Sequence, residues 1–212
     1  MWAHMIATTM LKTIPSDQAL KRLSVGKPIN TMWVTGLLNL DPLTVSRWLC
    51  GEDMRGIYQP IVIRGCYLDA LDLARRTFYD RVELVDCRIE RARFERAYFY
   101  TSLLIEDCVF KGDFSGQQMQ SEGPIVFHNT VFTGYVDFSG ATLRDDVNFL
   151  DVCFYGGTNL LYEMRDHCPE RLGREVILRG CRFRSADVPD GLDTVRLGIT
   201  PFLQSDSGRP ES

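Results

Sequence analysis

Several things are missing from this 212-residue chain, and each absence removes a class of function. No run of 18 apolar residues occurs, so no stretch is long enough to span a bilayer as a helix. Lys and Arg total 24 against 28 Asp and Glu, a net charge of −4, which offers no general attraction to nucleic acid or to an acidic membrane. There is no glycine-rich phosphate loop, dinucleotide fingerprint or GxSxG elbow. The three histidines and seven cysteines show no CxxC or HxxxH spacing. Met1 to Ile6 has no basic region followed by a continuous apolar stretch, so no signal peptide is expected and the expected setting is cytoplasmic. With 45% hydrophobic and 25% charged residues the composition is that of a globular chain, one domain being favoured over two.

What is present is a period. From Pro60 to Leu160 large apolar residues recur five apart: Ile63, Leu68, Leu73, Phe78, then Leu84, Ile89, Phe94, Phe99 and Leu104. On an α-helix a step of five turns by about 140° and scatters them around the axis. In a flat strand an odd step alternates faces. All of them share one side only if the backbone turns at every repeat, as in the wall of a coil. A longer period stacks the turns. Cys66, Cys87 and Cys108 lie 21 apart, as do Leu68, Ile89 and Phe110, and farther on Phe127/Phe149 and Phe132/Phe154 lie 22 apart, with steps of six and five. Short residues sit two before most large ones (Ala92, Ala97, Ala141), so small and large alternate inside a narrow tube. Self-similarity near 20 residues marks a solenoid.

The units Cys66-Tyr67-Leu68-Asp69-Ala70, Cys87-Arg88-Ile89-Glu90-Arg91, Ala92-Arg93-Phe94-Glu95-Arg96, Ala97-Tyr98-Phe99-Tyr100-Thr101, Val136-Asp137-Phe138-Ser139-Gly140 and Ala141-Thr142-Leu143-Arg144-Asp145 resemble the pentapeptide-repeat family. The resemblance covers about half the chain. It implies an all-β fold, a right-handed quadrilateral β-helix; five to six coils with a short helical N-terminal cap are expected, and the absence of catalytic motifs sets the expectation of no catalytic residues. It departs from the family pattern where Arg or Tyr takes the polar second position, and the six-residue steps imply bulges.

The expected organisation is a cap over residues 1–56, a β-helix over 57–186 with loop insertions at 115–124 and 164–175, and a C-terminal tail over 187–212 whose last eight residues are disordered. In the cap, Ser16-Asp17 can start a helix from Gln18 to Val25, Trp33 to Leu40 alternates like a strand, and Thr44 to Leu49 suits a short helix. Leu20, Leu23, Trp33 and Trp48 are the expected cover for the open apolar end. Ser115 to Pro124 has turn residues and amides without a periodic core position, so it is expected to protrude. Pro201-Phe202-Leu203 is expected as a lid on the last coil or a dimer contact.

Cys66, Cys87 and Cys108 are expected as reduced core thiols, with a disulfide between stacked neighbours as the competing reading. Cys153, one before Phe154, is expected to face outward, as is His128 after Phe127. His4 falls in an end expected to fray, and His167-Cys168 in a loop. No metal or cofactor is expected.

Arg64 to Arg96 carries eight Arg and seven acids, a balance expected to produce exposed ion pairs. Glu106 to Asp151 carries eight acids against Lys111 and Arg144. The family resemblance raises one specific alternative here, a DNA mimic that binds a type II topoisomerase such as gyrase. A β-helical carbohydrate enzyme using paired carboxylates is a third reading. The expectation is a non-enzymatic scaffold with an unknown protein partner, no direct binding of nucleic acid or membrane, and a homodimer allowed. The expected contact residues are Gln117, Gln118, Met119 and Gln120 in the loop, and Asp137, Asp145 and Asp146 in the acidic stretch.

Overall fold

A computed structural model describes residues 11–49, 52–166 and 176–202, apart from the side chains of 48, 49, 52–54 and 166. The chain winds into a four-sided coil whose walls are parallel sheets. The first face stacks Ile29–Asn30, Ile61–Arg64, Val82–Val85, Leu103–Glu106, Ile125–His128, Val147–Leu150 and Val176–Arg179. The second begins in Met32–Asn39 and Tyr67–Asp72 and continues through Arg88–Ile89, Val109–Phe110, Val131–Phe132, Cys153–Phe154, Cys181–Arg184 and Ile199–Phe202. The third face stacks Ala92–Arg93, Phe114–Ser115 and Val136–Asp137 on the later part of Tyr67–Asp72. The fourth stacks Thr77–Phe78, Tyr98–Phe99, Gln120–Ser121 and Thr142–Leu143. Registers follow the sequence periods: Leu68, Ile89, Phe110, Phe132, Phe154 and Phe183 lie directly above one another. Parallel stacking of like aromatics follows, with Phe127 and Phe149 centroids 4.9 Å apart and 2° from parallel.

The turns explain why this chain can bend at every fifth residue. Between the first and second faces, Thr31, Gly65, Asp86, Asp107, Asn129, Asp151 and Gly180 all take positive φ. Asp, Asn and Gly tolerate that region best. Between the third and fourth faces the same conformation falls on Arg75, Arg96, Gln118 and Gly140. The change of period from 21 to 22 is located between the second and third faces. There Gly112, Gly134 and Gly156 occupy an added residue position, so that a Cβ on any of them would lie 2.1–2.6 Å from backbone of the coil beneath.

Ser115 to Pro124 is not a protruding loop. It completes a coil, with Gln120–Ser121 as its strand on the fourth face. The pattern is hidden there because small and large positions are exchanged. On the third face Ala92 and Phe94 are followed one coil up by Phe114 and Gly116, then by Val136 and Phe138. On the fourth, Ala97 and Phe99 are followed by Met119 and Ser121, then by Ala141 and Leu143. Phe114 and Met119 are buried and fill the volume from the neighbouring position.

Thr44 to Leu49 is not a helix. Val45–Leu49 pairs antiparallel with Glu52–Gly56 as an exposed hairpin beside the fourth face. Helix α1 (Ser16–Ser24) buries Ala19 and Leu23 over the open end of the coil, with Leu20 packed against it. Trp33 does not join that cover: it is 42% exposed and its indole donates to Asp69 Oδ1 at 2.8 Å. The side chain of Trp48 lies outside the described residues. At the other end helix α2 (Leu160–Asp166) replaces a fourth-face strand, and Ile199–Phe202 closes the second face with Phe202 buried. Of the expected second insertion, 167–175 lie outside the described residues, as do His4, Cys50, His167, Cys168, Leu203 and the last eight residues.

Candidate interaction surfaces

The side chains that point away from the core form vertical rows, because every coil repeats the same geometry. On the fourth face one row consists of aromatic rings. Tyr58, Tyr79 and Tyr100 follow the inward positions of Ile57, Phe78 and Phe99 and form a column, Tyr58 stacked on Tyr79 with centroids 4.5 Å apart and Tyr100 tilted by 44° against Tyr79 at 5.7 Å. The guanidinium of Arg47, from the hairpin, lies 4.4 Å over the ring of Tyr58. Tyr98 meets Tyr100 edge-on at 6.3 Å and donates its hydroxyl to Glu122 Oε1 at 2.8 Å. Burial, together with that carboxylate, pushes the Tyr98 hydroxyl up to about 12. Arg75 and Arg96 stand exposed at the turn that leads into this face, Arg96 donating to Gln118 at 2.7 Å. Tyr100 is 51% exposed, so the patch has a wet edge as well as a stacked body.

This patch was readable from the chain. Tyr58, Tyr79 and Tyr100 keep the 21-residue offset of the core ladder. Each lies one position beyond an inward residue and so falls outside the apolar ladder.

The expected contact residues do not form one site. Gln117 and Gln118 are exposed at the third-to-fourth turn and Gln120 projects from the fourth face, whereas Met119 is fully buried in the core. Asp137 lies on the third face. It accepts hydrogen bonds from Ser139 N, Ser139 Oγ and Asn159 Nδ2 at 2.8, 2.6 and 2.8 Å, and from Gln117 Nε2 at 2.5 Å. Burial acts to raise its pKa, but those donors outweigh it and hold the carboxyl below its ordinary value. Asp145 and Asp146 are at the fourth-to-first turn, on another side of the coil. The remaining acids of the stretch are dispersed too: Glu106 is on the first face, Asp107 and Asp151 at the first-to-second turn, Asp113 between the second and third faces, and Glu122 beside the fourth face.

Cys66, Cys87, Cys108, Cys153 and Cys181 are free and buried. Cys153 corrects its expected exposure: it occupies an outward position on the second face, between Val131 and Arg182, yet is 7% exposed. Arg182 lies 5.9 Å over the Tyr155 ring beside it. Burial raises the Cys153 pKa. His128 projects outward as expected, its Nδ1 2.9 Å from Glu106 Oε1. Among the described residues no group of three or more His, Cys, Asp or Glu is arranged to hold a metal ion, and no helix is long and apolar enough to cross a membrane.

Four parallel walls, inward ladders and turns of fixed offset define the class: a right-handed quadrilateral β-helix. Residues 122–161 match the family described as pentapeptide repeats (9 copies), which supports the resemblance carried by the repeat units. No curated protein and no solved structure matches the chain.

Proposed function

We infer that the chain is a non-enzymatic protein-binding module and that the aromatic–arginine patch of the fourth face is its contact site. The observation that carries this is the Tyr58–Tyr79–Tyr100 column, its first two rings stacked, the third tilted, and Arg47 lying over the Tyr58 ring. Tyr and Arg are enriched among residues that dominate binding energy. Tyrosines packed in a column on ladder-bonded backbone have little freedom left to lose on association, which lowers the cost of binding. Arg47, Arg75 and Arg96 favour a partner surface that carries carboxylates.

The test is affinity capture from the native host with quantitative readout. Tyr100→Ser and Arg47→Ala should each deplete the same captured protein at least tenfold, because hot-spot truncation costs about 2 kcal/mol or more. Gln117→Ala and Asp146→Asn, outside the patch, should leave capture unchanged. A captured set indifferent to Tyr100 and Arg47 but lost on changing Gln117 or Asp146 would overturn the assignment.

A further inference from the structure

The first face carries a pattern that no requirement of the coil explains. Its outward residues form two rows over the six strands from Ile61–Arg64 to Val176–Arg179. The first row is Val62, Glu83, Leu104, Val126, Asn148, Ile177, and the second is Arg64, Val85, Glu106, His128, Leu150, Arg179. A solvated sheet face ordinarily alternates apolar-in with polar-out. Here every one of the six coils places an aliphatic residue outward. Val62 is nearly covered by its neighbours, Val85, Leu104, Val126 and Leu150 are half-buried, and Ile177 is 36% exposed.

The order of chemical types is the informative part. Reversing the coils about a line between Leu103–Glu106 and Ile125–His128 sets Val62 opposite Ile177, Glu83 opposite Asn148 and Leu104 opposite Val126. In the second row it sets Val85 opposite Leu150 and Glu106 opposite His128. At the turn entering this face it sets Arg81 opposite Asp146, since each directly precedes the first strand residue, Val82 or Val147. Apolar meets apolar, and acid meets base or amide. The one like-charged pairing is Arg64 with Arg179, at the ends, and Arg64 is already neutralised by Glu83 at 2.6 Å.

We propose that the first face is an isologous interface for a second copy of this chain, two coils packing face to face with their axes antiparallel. A two-fold axis lying in the interface along the strand direction produces the pairing above, and an isologous contact requires a surface complementary to itself. The parallel arrangement exchanges the two rows within each coil. It would set Leu104 against Glu106, Val126 against His128 and Ile177 against Arg179, burying charge on apolar surface in most coils. Six strands about 4.8 Å apart and four residues of about 3.3 Å give a footprint of roughly 380 Å² before side-chain relief. That is small for a stable complex, so the dimer dissociates on dilution.

The experiment is sedimentation velocity on the full chain from low to several hundred micromolar, with variants at Val85 and Leu150. Both side chains point outward, and unchanged melting curves would show that the fold is kept. The wild type should pass from monomer to dimer mass. Val85→Lys and Leu150→Glu should each weaken self-association at least tenfold. Mixed in equal amounts, the two variants should recover association with each other, because one mixed contact then pairs Lys with Glu and the other pairs Val with Leu. A wild type that stays monomeric throughout, single variants that associate normally, or a mixture that fails to recover would each overturn the proposal. Tyr100→Ser should dimerise as the wild type does, which separates this interface from the fourth-face patch.

Discussion

A thiol at the start of the second face has a second task besides filling space. Each Sγ of Cys66, Cys87 and Cys108 lies 3.2 Å from the carbonyl two residues earlier and 3.4–3.6 Å from a carbonyl of the coil beneath. Thr130 takes the same place in the next coil and bonds the same way, at 3.0 and 3.4 Å. These contacts give the turn's carbonyls a partner where backbone donors are directed elsewhere. The thiols are correspondingly inert. Burial, with Cys87 beside it, pushes Cys66 up to about 12; the Cys108 thiol, then burial, raises Cys87; burial raises Cys181 to about 11. Because the thiolate is the reactive form, none of these, nor Cys153, should label in the folded chain at pH 8. Mass mapping after a timed alkylation checks this, and rapid modification of Cys153 would show that its Tyr155–Arg182 cover is open. Asp137 supplies a pH test. Its folded pKa is depressed, so its contribution is complete above the unfolded value, about 3.9, and is lost as pH falls through the lower folded value. The gap in melting temperature between wild type and Asp137→Asn should therefore close below about pH 4.

At the scale of an element, the coil from Leu103 to Pro124 tests how strictly the core demands order. Its third and fourth sides carry large-then-small where their neighbours carry small-then-large, and Phe114 still packs 4.6 Å from Phe94 and 5.9 Å from Phe138. Volume in the tube is conserved while the position that supplies it changes. Phe114→Ala should cost about 3–5 kcal/mol, as other buried aromatics do. Gly116→Phe alone should cost about 1–3 kcal/mol or more, since a Cβ there already meets the Phe138 ring at 3.1 Å. The double variant restores the neighbouring order, so it should recover at least half of the summed loss in urea melts. Simple additivity would sink the exchange account.

For the whole molecule, the open ends of the coil are the weak points, and each is sewn by an arginine, Arg76 buried at one end and Arg184 half-buried at the other. Arg76 bonds Asp72 at 3.1 Å and reaches down to Asp41 at 2.7 Å and Asn39 at 2.6 Å, tying the capping segment to the first full coil. Arg184 donates to Gly156 O at 3.1 Å and sits near Asp187, tying the last segment back. Arg76→Ala should cost about 3 kcal/mol, because it strands the buried Asp72 carboxylate and the Ala74 carbonyl, while Asp41 stays solvated. Hydrogen exchange in Met32–Asn39 should accelerate before that of Leu103–Glu106. The dispersal of acids over several sides bears on the gyrase alternative. A mimic of duplex DNA needs closely spaced charge along one surface, and Asp137 stands on a different side from Asp145 and Asp146. Supercoiling with a quinolone present should show neither inhibition nor drug protection; protection that disappears in the Asp137/Asp145/Asp146 triple Asn variant would reverse this.

The periods alone determined the fold, because a narrow tube admits only residues whose spacing matches its turns, and Ile89 above Leu68 or Phe154 above Phe132 follows from 21 and 22. The turn residues Asp86, Asp107 and Asn129 were legible for the same reason. Where the chain keeps volume but moves it by two positions, at Phe114/Gly116 and Met119/Ser121, the period is broken in the letters and kept in space. Only the tertiary structure decided that these residues form a coil and bury Met119. It also decided that Cys153, outward by register, is covered by Tyr155 and Arg182 from its own and the next coil. The outward rows divide in the same way. Tyr58, Tyr79 and Tyr100 were visible as a period, but the Arg47 guanidinium over Tyr58 depends on a hairpin whose local sequence favoured a helix. The charges between Arg64 and Asp151 could be counted from the sequence, while their sorting onto faces depends on which side of the coil each turn delivers them to.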